Sequence, residues 1–257
     1  MIKSKLNTTL QREITATIRA EYEAESAKHE PSGKLSAGQL GKPLLEQVLK
    51  VIGVPQKPIE DYALGLFRRG NSVEDNILGL LKPDKSQVEV EYRNCVGIVD
   101  AIKGDEVYEI KSVKNSQWQY LDPTNDKKRR TQDGMQSVYG GVKYAHALQG
   151  ALYAMALKKP SFTVIYASAD DLRVLPHTIE TKEMQREVDK IISEVDQALK
   201  SHKLPKWTAR EDWQEKYPQY SSYPGWISLD PELAMTKLKN TYPDSYKKLI
   251  NYKGEKK

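Results

Sequence analysis

The stretch that most constrains this chain runs from Gly97 to Lys111 and reads GIVDAIKGDEVYEIK. Apolar residues recur on both sides of Gly104-Asp105, and a dipeptide with glycine first signals a type II′ two-residue hairpin turn. Such a turn dictates a register in which Lys103 opposes Glu106, Ile102 opposes Val107 and Asp100 opposes Glu109. Directly opposed side chains lie about 4.5–5.5 Å apart at Cβ, so two carboxylates are expected side by side on one face. The two-residue period of a strand adds Lys111 to that face and turns Ile110 away. Ile98, Ile102, Val107 and Val113 share the same face, so the charges have apolar surroundings. Two adjacent carboxylates repel and, when half-buried, also lose hydration. Neighbouring lysines, a solvent-facing sheet or a divalent cation between them would each relieve this.

The rest of the composition narrows those choices. Cys95 is the single cysteine, which excludes an intrachain disulfide framework and a cysteine-built zinc or iron–sulfur cluster. Four scattered histidines argue against a His-rich metal site. A bound metal is therefore expected to be held by carboxylates, which points to Mg²⁺ or Mn²⁺. The net charge of +5 is compatible with a nucleic-acid partner without requiring one. No apolar run approaches a membrane span, and the first residues, MIKSKLNTTLQREI, lack the apolar core of a secretory signal. An intracellular, cytoplasmic protein with no membrane partner is expected.

Helical spacing covers roughly residues 6–28, broken by Pro31-Ser32-Gly33. A second helix is expected from Ser36, as N-cap, to about Ile52. A third covers about 60–81 with an apolar stripe of Leu64, Phe67, Ile77 and Leu81, closed by Pro83. Three consecutive strands follow: QVEVEYR, CVGIVDAIK and EVYEIKSVK. Residues 115–142 are polar and read as a long loop carrying Lys127, Lys128, Arg129 and Arg130. Then come a helix over about 143–158, the strand SFTVIYAS, a strand in LRVLPHTIE and a helix over about 181–202. An aromatic-rich tail ends in a short helix near 231–251. The reading is a single domain with an α/β core over 59–203, a helical part over 1–58 and an aromatic-rich extension over 204–257.

Asp100 followed by Glu109-Ile110-Lys111 on the next strand resembles the D…ExK core of the PD-(D/E)XK nuclease superfamily. Two flanking elements are similar to its RecB-like exonuclease branch. Gly70 and Glu74 form a GxxxE element on the preceding helix, in a segment also similar to the Arg-Gly-x-x-x-Glu of phage lambda-exonuclease-type enzymes. Gln149 and Tyr153 form QxxxY, four residues apart and so on one helical face. The order GxxxE, D, ExK, QxxxY spans about residues 60–170.

That resemblance implies a restriction-endonuclease-like fold, with a mixed central sheet flanked by helices. It implies Mg²⁺ or Mn²⁺ held by Glu74, Asp100, Glu109 and the backbone carbonyl of Ile110, with Lys111, Asp100 and Glu109 as the catalytic residues. Gln149 would order the active site or the DNA end, supported by Tyr153. Arg68, Arg69, the Lys127–Arg130 run and Ser36, at a helix start like those opening many RecB-like domains, are candidate phosphate contacts. Trp118 and Tyr120 are candidate stacking residues, with packing at the edge of the core as the alternative. His146 is read as structural. With one cysteine the chain departs from branch members carrying an iron–sulfur cluster, and with no Walker A segment it should need no ATP. The expected activity is exonucleolytic hydrolysis of linear DNA, single- or double-stranded, in recombination, repair or phage and mobile-element DNA processing. A recombination or single-strand-binding partner protein and a homo-oligomer are in keeping with it. The alternatives are a structure-specific or restriction-type endonuclease and a nuclease-like module that binds DNA or a protein without cleavage.

Overall fold

The computed structural model describes residues 7–27, 32–122, 138–139 and 141–254. Its centre is a mixed sheet built from β1 (Leu35–Ser36), β2 (Lys85–Tyr92), β3 (Cys95–Lys103), β4 (Glu106–Val113), β7 (Ser161–Ser168) and β8 (Val174–Glu180). Between β4 and β7 in the chain lies a small separate hairpin of β5 (Val138–Tyr139) and β6 (Val142–Lys143). β2 pairs antiparallel along β3 from Tyr92–Cys95 to Lys85–Ile102. β1, parallel, holds the first residues of the other edge of β3, and β4, antiparallel, holds the last. β4 then pairs in parallel with β7, and β8 closes the sheet antiparallel. β7, buried along nearly its whole length, reads as a nearly unbroken apolar run because both of its faces are covered, whereas β4 carries Glu109 and Lys111. β8, at the edge, alternates between exposed and half-buried residues.

On one face lies α3 (Asp61–Leu81), whose Val73 and Ile77 pack with Ile110, Ile165 and Ala167. Ahead of it, α1 (Thr8–Ser26) buries no residue and meets the molecule through α3, with Tyr22 stacked on Phe67 at 6.1 Å between ring centroids. The expected α3 stripe is thus only partly buried: Leu64 and Ile77 are covered, whereas Phe67 remains 48% exposed because α1 shields one side of it only. On the other face lie α2 (Leu44–Val51), α5 (Tyr144–Ala156) and α6 (Thr181–Lys200) around the main core. The expected polar loop over 115–142 is corrected where it is described. It opens with α4 (Asn115–Leu121), whose Leu121 is buried, and closes with the β5–β6 hairpin.

The helix expected from Ser36 to Ile52 is also corrected. Ser36 ends β1 with an extended backbone (φ −108°) and makes no side-chain cap; a single 3₁₀ turn over Ala37–Gln39 follows, and α2 begins only after Pro43. A proline tolerates the start of a helix but not its interior, which divides the segment. The expected single last helix is two, α8 (Pro231–Thr241) and α9 (Pro243–Ile250), each opened by a proline and preceded by the short α7 (Asp212–Lys216). One cluster of buried side chains runs from Leu35 to Leu249 and takes in Tyr223, Trp226, Ala234 and Leu238 of the aromatic-rich tail. No helix among the described residues is long and apolar enough to cross a membrane.

Candidate active site

The turn between β3 and β4 is as expected, with Lys103 opposite Glu106 and Gly104 at φ +58°. The ladder, however, stops at Ala101–Tyr108, one step before Asp100 and Glu109. The expected ladder pairing of these two carboxylates is therefore corrected. β1 already holds the far end of that edge of β3 at Cys95 and Val96, so β4 has to part from it in between. The gap is closed by a side chain: Asp100 Oδ2 accepts a hydrogen bond from the Ile110 backbone N–H at 2.6 Å. Ile98, expected among apolar neighbours, lies at the parted edge and is 39% exposed.

The register still places Asp100, Glu109 and Lys111 together. Glu109 is fully buried, Asp100 is 9% exposed, and Lys111 Nζ forms an ion pair with Glu109 Oε1. Apart from that ion pair, neither Glu109 oxygen receives a hydrogen bond from the described residues. An unserved carboxylate in a dry interior is costly unless a proton or a further cation neutralises it. Burial pushes Glu109 up to about 8; Lys111 opposes the rise, and the charges of Asp100 and Glu74 add to it. Burial raises Asp100 too, against the pull of Lys111 and the Ile110 amide. Burial works against the charge of Lys111, but Glu109, Asp100 and Glu74 together outweigh it and hold the amine protonated.

Glu74 joins this cluster from α3. It is half-buried and pushed up to about 7, first by lost hydration and then by the charge of Asp100. Its Oε1 accepts a hydrogen bond from Gln87 Nε2 at 2.7 Å. Gln87 stands across from Asp100 in β2 with φ +52°, a left-handed backbone that a non-glycine residue rarely adopts inside a strand. The run QVEVEYR reads as an ordinary strand, so nothing in its pattern announces this residue. Among the described residues no three His, Cys, Asp or Glu side chains come close enough together to hold a metal ion. The set nevertheless suits a hard divalent cation: carboxylate oxygens only, one of them buried and without a donor.

Over the carboxylates lies one stripe of α5: His146, Gln149 and Tyr153. Gln149 Nε2 donates to Tyr153 Oη at 2.8 Å, and Tyr153 is close enough to Glu109 for the charges to interact. Tyr153 can approach only because residue 97 is glycine; a Cβ there would stand 2.4 Å from Tyr153 Cε1 and 3.0 Å from Ala37 Cβ. Ser36, Gly38, Glu89, Gly97, Gln149 and Tyr153 line an open groove of about 720 Å³ beside the site. Ser36 thus stands on its wall.

The other candidates are spread out. Arg68 is engaged with Glu21 of α1 at 3.0 Å, on the exposed side of α3. Arg69 is half-buried with its Nε unpaired. Lys127, Lys128, Arg129 and Arg130 lie outside the described residues. Trp118 packs at the edge of the core under the Arg173 guanidinium, 4.9 Å from its ring centroid, and Tyr120 is half-buried.

No family model matches the chain, and no curated protein matches it in sequence. Among solved structures, an alkaline exonuclease from Laribacter hongkongensis aligns with a TM-score of 0.43 at 13% identity, over 66% of this chain and 91% of that one. The same enzyme in complex with dAMP gives 0.43 at 12% identity, over 74% and 96%. A phage-related exonuclease from Haemophilus somnus 129PT gives 0.46 at 10% identity, over 63% and 91%. What defines this chain is a mixed α/β fold with a buried carboxylate–lysine cluster at the point where two strands part.

Proposed function

We propose that this chain is a Mg²⁺- or Mn²⁺-dependent deoxyribonuclease of PD-(D/E)XK type, acting as an exonuclease on linear DNA. The observation that carries this reading is the Glu109 carboxyl, fully buried, ion-paired with Lys111 and next to Asp100. Stability alone gives no reason to bury it there. Asp100, Glu109, Glu74 and the Ile110 carbonyl would hold the cation. When bound, the ion would supply Lewis-acid polarisation of the phosphate and a more acidic water. Lys111 Nζ, a donor only, orients the attacking water and stabilises charge developing on the phosphoryl oxygens. Tyr153, positioned by Gly97, keeps Gln149 over the site, and the groove beside them receives the nucleotide next to the scissile bond. Gln149, on the wall of that groove, is the residue we assign to the strand terminus.

The test is incubation of the purified protein with linear and with closed-circular DNA in Mg²⁺ or Mn²⁺, beside Glu109→Ala and Lys111→Ala. Digestion of the linear form only, lost in both variants, is the expected result. Cutting of the circle would make the chain an endonuclease. DNA binding without cleavage of either form would make it a binding module.

A further inference from the structure

A second set of polar groups lies along the same stripe, one turn before Gln149, and the metal site does not use it. Tyr166 on β7 is the register neighbour of Lys111 on β4. Its buried hydroxyl has two partners among the described residues: the Lys143 backbone N–H at 2.9 Å and His146 Nδ1 at 3.0 Å. The amide can only donate, so the hydroxyl accepts from it; the phenolic proton then has one acceptor within reach, Nδ1 of His146. Burial, with Lys111 and Lys143 nearby, keeps the imidazole neutral. Its single proton is therefore on Nε2, and Nε2 has no partner among the described residues.

Lys143 is the N-cap of α5 and His146 lies in its first turn, where the helix dipole adds positive potential. Burial lowers Lys143 to about 8 against the opposing charge of Glu211, so it is still protonated at neutral pH; its Nζ reaches Gln117 Oε1 at 3.2 Å, and Lys111 reaches Glu109, so each ammonium has further donors to offer. Between the end of β4 and the start of α5 the molecule thus brings the donors of Lys111, Lys143 and His146 near one another, with Glu109 beside Lys111.

We propose that Lys111, Lys143 and the Nε2–H of His146 form a phosphate subsite, with Tyr166 as the positioning residue that sets the imidazole tautomer. The ligand is a tetrahedral oxyanion. That the phosphate belongs to a DNA strand rests on the nuclease reading; that this cluster of donors takes phosphate does not. Neutral histidine suits the place, since it adds a directed donor without a third buried cation beside two lysines.

The experiment uses the full chain, ¹⁵N-labelled, in EDTA, with inorganic phosphate as the probe and the histidine ring nitrogens followed by long-range ¹H–¹⁵N NMR. His146 is expected to show the pattern of protonated Nε2 and accepting Nδ1, and its Nε2 signal to move on phosphate addition. Lys143→Gln and His146→Phe are each expected to weaken phosphate binding about tenfold, the effect of removing one charge-assisted or directed bond. His146→Asn serves if the Phe variant does not fold. Tyr166→Phe is expected to release the tautomer and weaken binding to a lesser degree. A proton on Nδ1, no phosphate binding by wild type, or unchanged affinity in both the Lys143 and His146 variants would overturn the proposal. Phosphate binding as described, in a protein that digests no DNA, would uphold the subsite and overturn the nuclease reading instead.

Discussion

Glu74→Gln should stabilise the metal-free protein, and only as the pH rises. Glu74 is held at about 7 in the fold, against 4.5 for an ordinary glutamate, by lost hydration and by the charge of Asp100. A carboxyl raised by folding contributes stability that is fully present below its unfolded pKa and is lost as the pH climbs through the folded one. The window is therefore about 4.5 to 7, with a plateau above. At about 1.4 kcal/mol for each unit of pKa, the full cost above neutrality would be about 3 kcal/mol. Glu74 is only half-buried, and solvent screening reduces this to about 1 kcal/mol. Glutamine keeps the oxygen that accepts from Gln87 Nε2 and removes the titration. In EDTA, the stability of Glu74→Gln relative to wild type should grow by about 1 kcal/mol between pH 5 and pH 8.5. For a chain of this size that is a melting-temperature difference of about 2–4 °C. Chemical denaturation at both pH values gives the free energies; thermal melts give the check. An advantage that does not change with pH, or a variant less stable at pH 8.5 than at pH 5 relative to wild type, would refute the coupling of Glu74 to the cluster. Saturating Mn²⁺ should reverse the order at pH 8.5, since the wild type gains the cation's binding energy and the variant loses a ligand.

Gly97→Ala places a methyl group 2.4 Å from Tyr153 Cε1. It should cost about 1–3 kcal/mol in denaturation and lower DNA cleavage sharply, and full activity would show that Tyr153 does not need its present position. Gln87→Gly relieves a left-handed backbone at φ +52° and releases Glu74. Stability should rise by up to about 1 kcal/mol while Mn²⁺ affinity, measured by calorimetry, falls; unchanged affinity would remove Gln87 from the site. Glu46, 2% exposed, accepts from Trp207 Nε1 at 3.2 Å, Ser221 Oγ at 2.8 Å and the Ser222 amide at 3.4 Å. Glu46→Ala leaves these donors unserved and should destabilise by about 2–4 kcal/mol in denaturant, and a loss under 1 kcal/mol would show that the tail is held by apolar packing alone.

The elements that local pattern describes well are those whose partners lie close in sequence. The Gly104 turn and its two strands, the strand SFTVIYAS and the helices over 61–81, 144–156 and 181–200 follow from turn chemistry and periodicity. The misses come from distant partners. Ser36 looks like a cap because a helical pattern follows, yet two residues of that segment are taken up by β3, some sixty positions further on, and Pro43 postpones the helix. Phe67 has the spacing of a core residue, but its cover is α1, itself a helix with no buried residue. The tail aromatics carry no local signal because their partners are distant: Trp207 donates to Glu46 and Tyr223 to the Val54 carbonyl.

The site divides along the same line. Asp100, Glu109 and Lys111 are legible because a hairpin register is arithmetic, and Gln149 with Tyr153 because four residues make a helical turn. That arithmetic, however, predicts a continuous ladder, and a continuous ladder would spend the Ile110 amide on a β3 carbonyl. Only because β1 draws off the beginning of β3 is the amide free to meet Asp100, and only then does the carboxylate turn into the same space as Glu109 and Lys111. The arrangement of these side chains thus depends on a two-residue strand too short to leave a signature of its own. On the other edge of β3, Gln87 stands across from Asp100 in a left-handed conformation and reaches Glu74. Strain, buried like charges and an interrupted ladder meet at one place, each of them a cost to stability, and that coincidence is the physical ground on which the proposed reaction site rests.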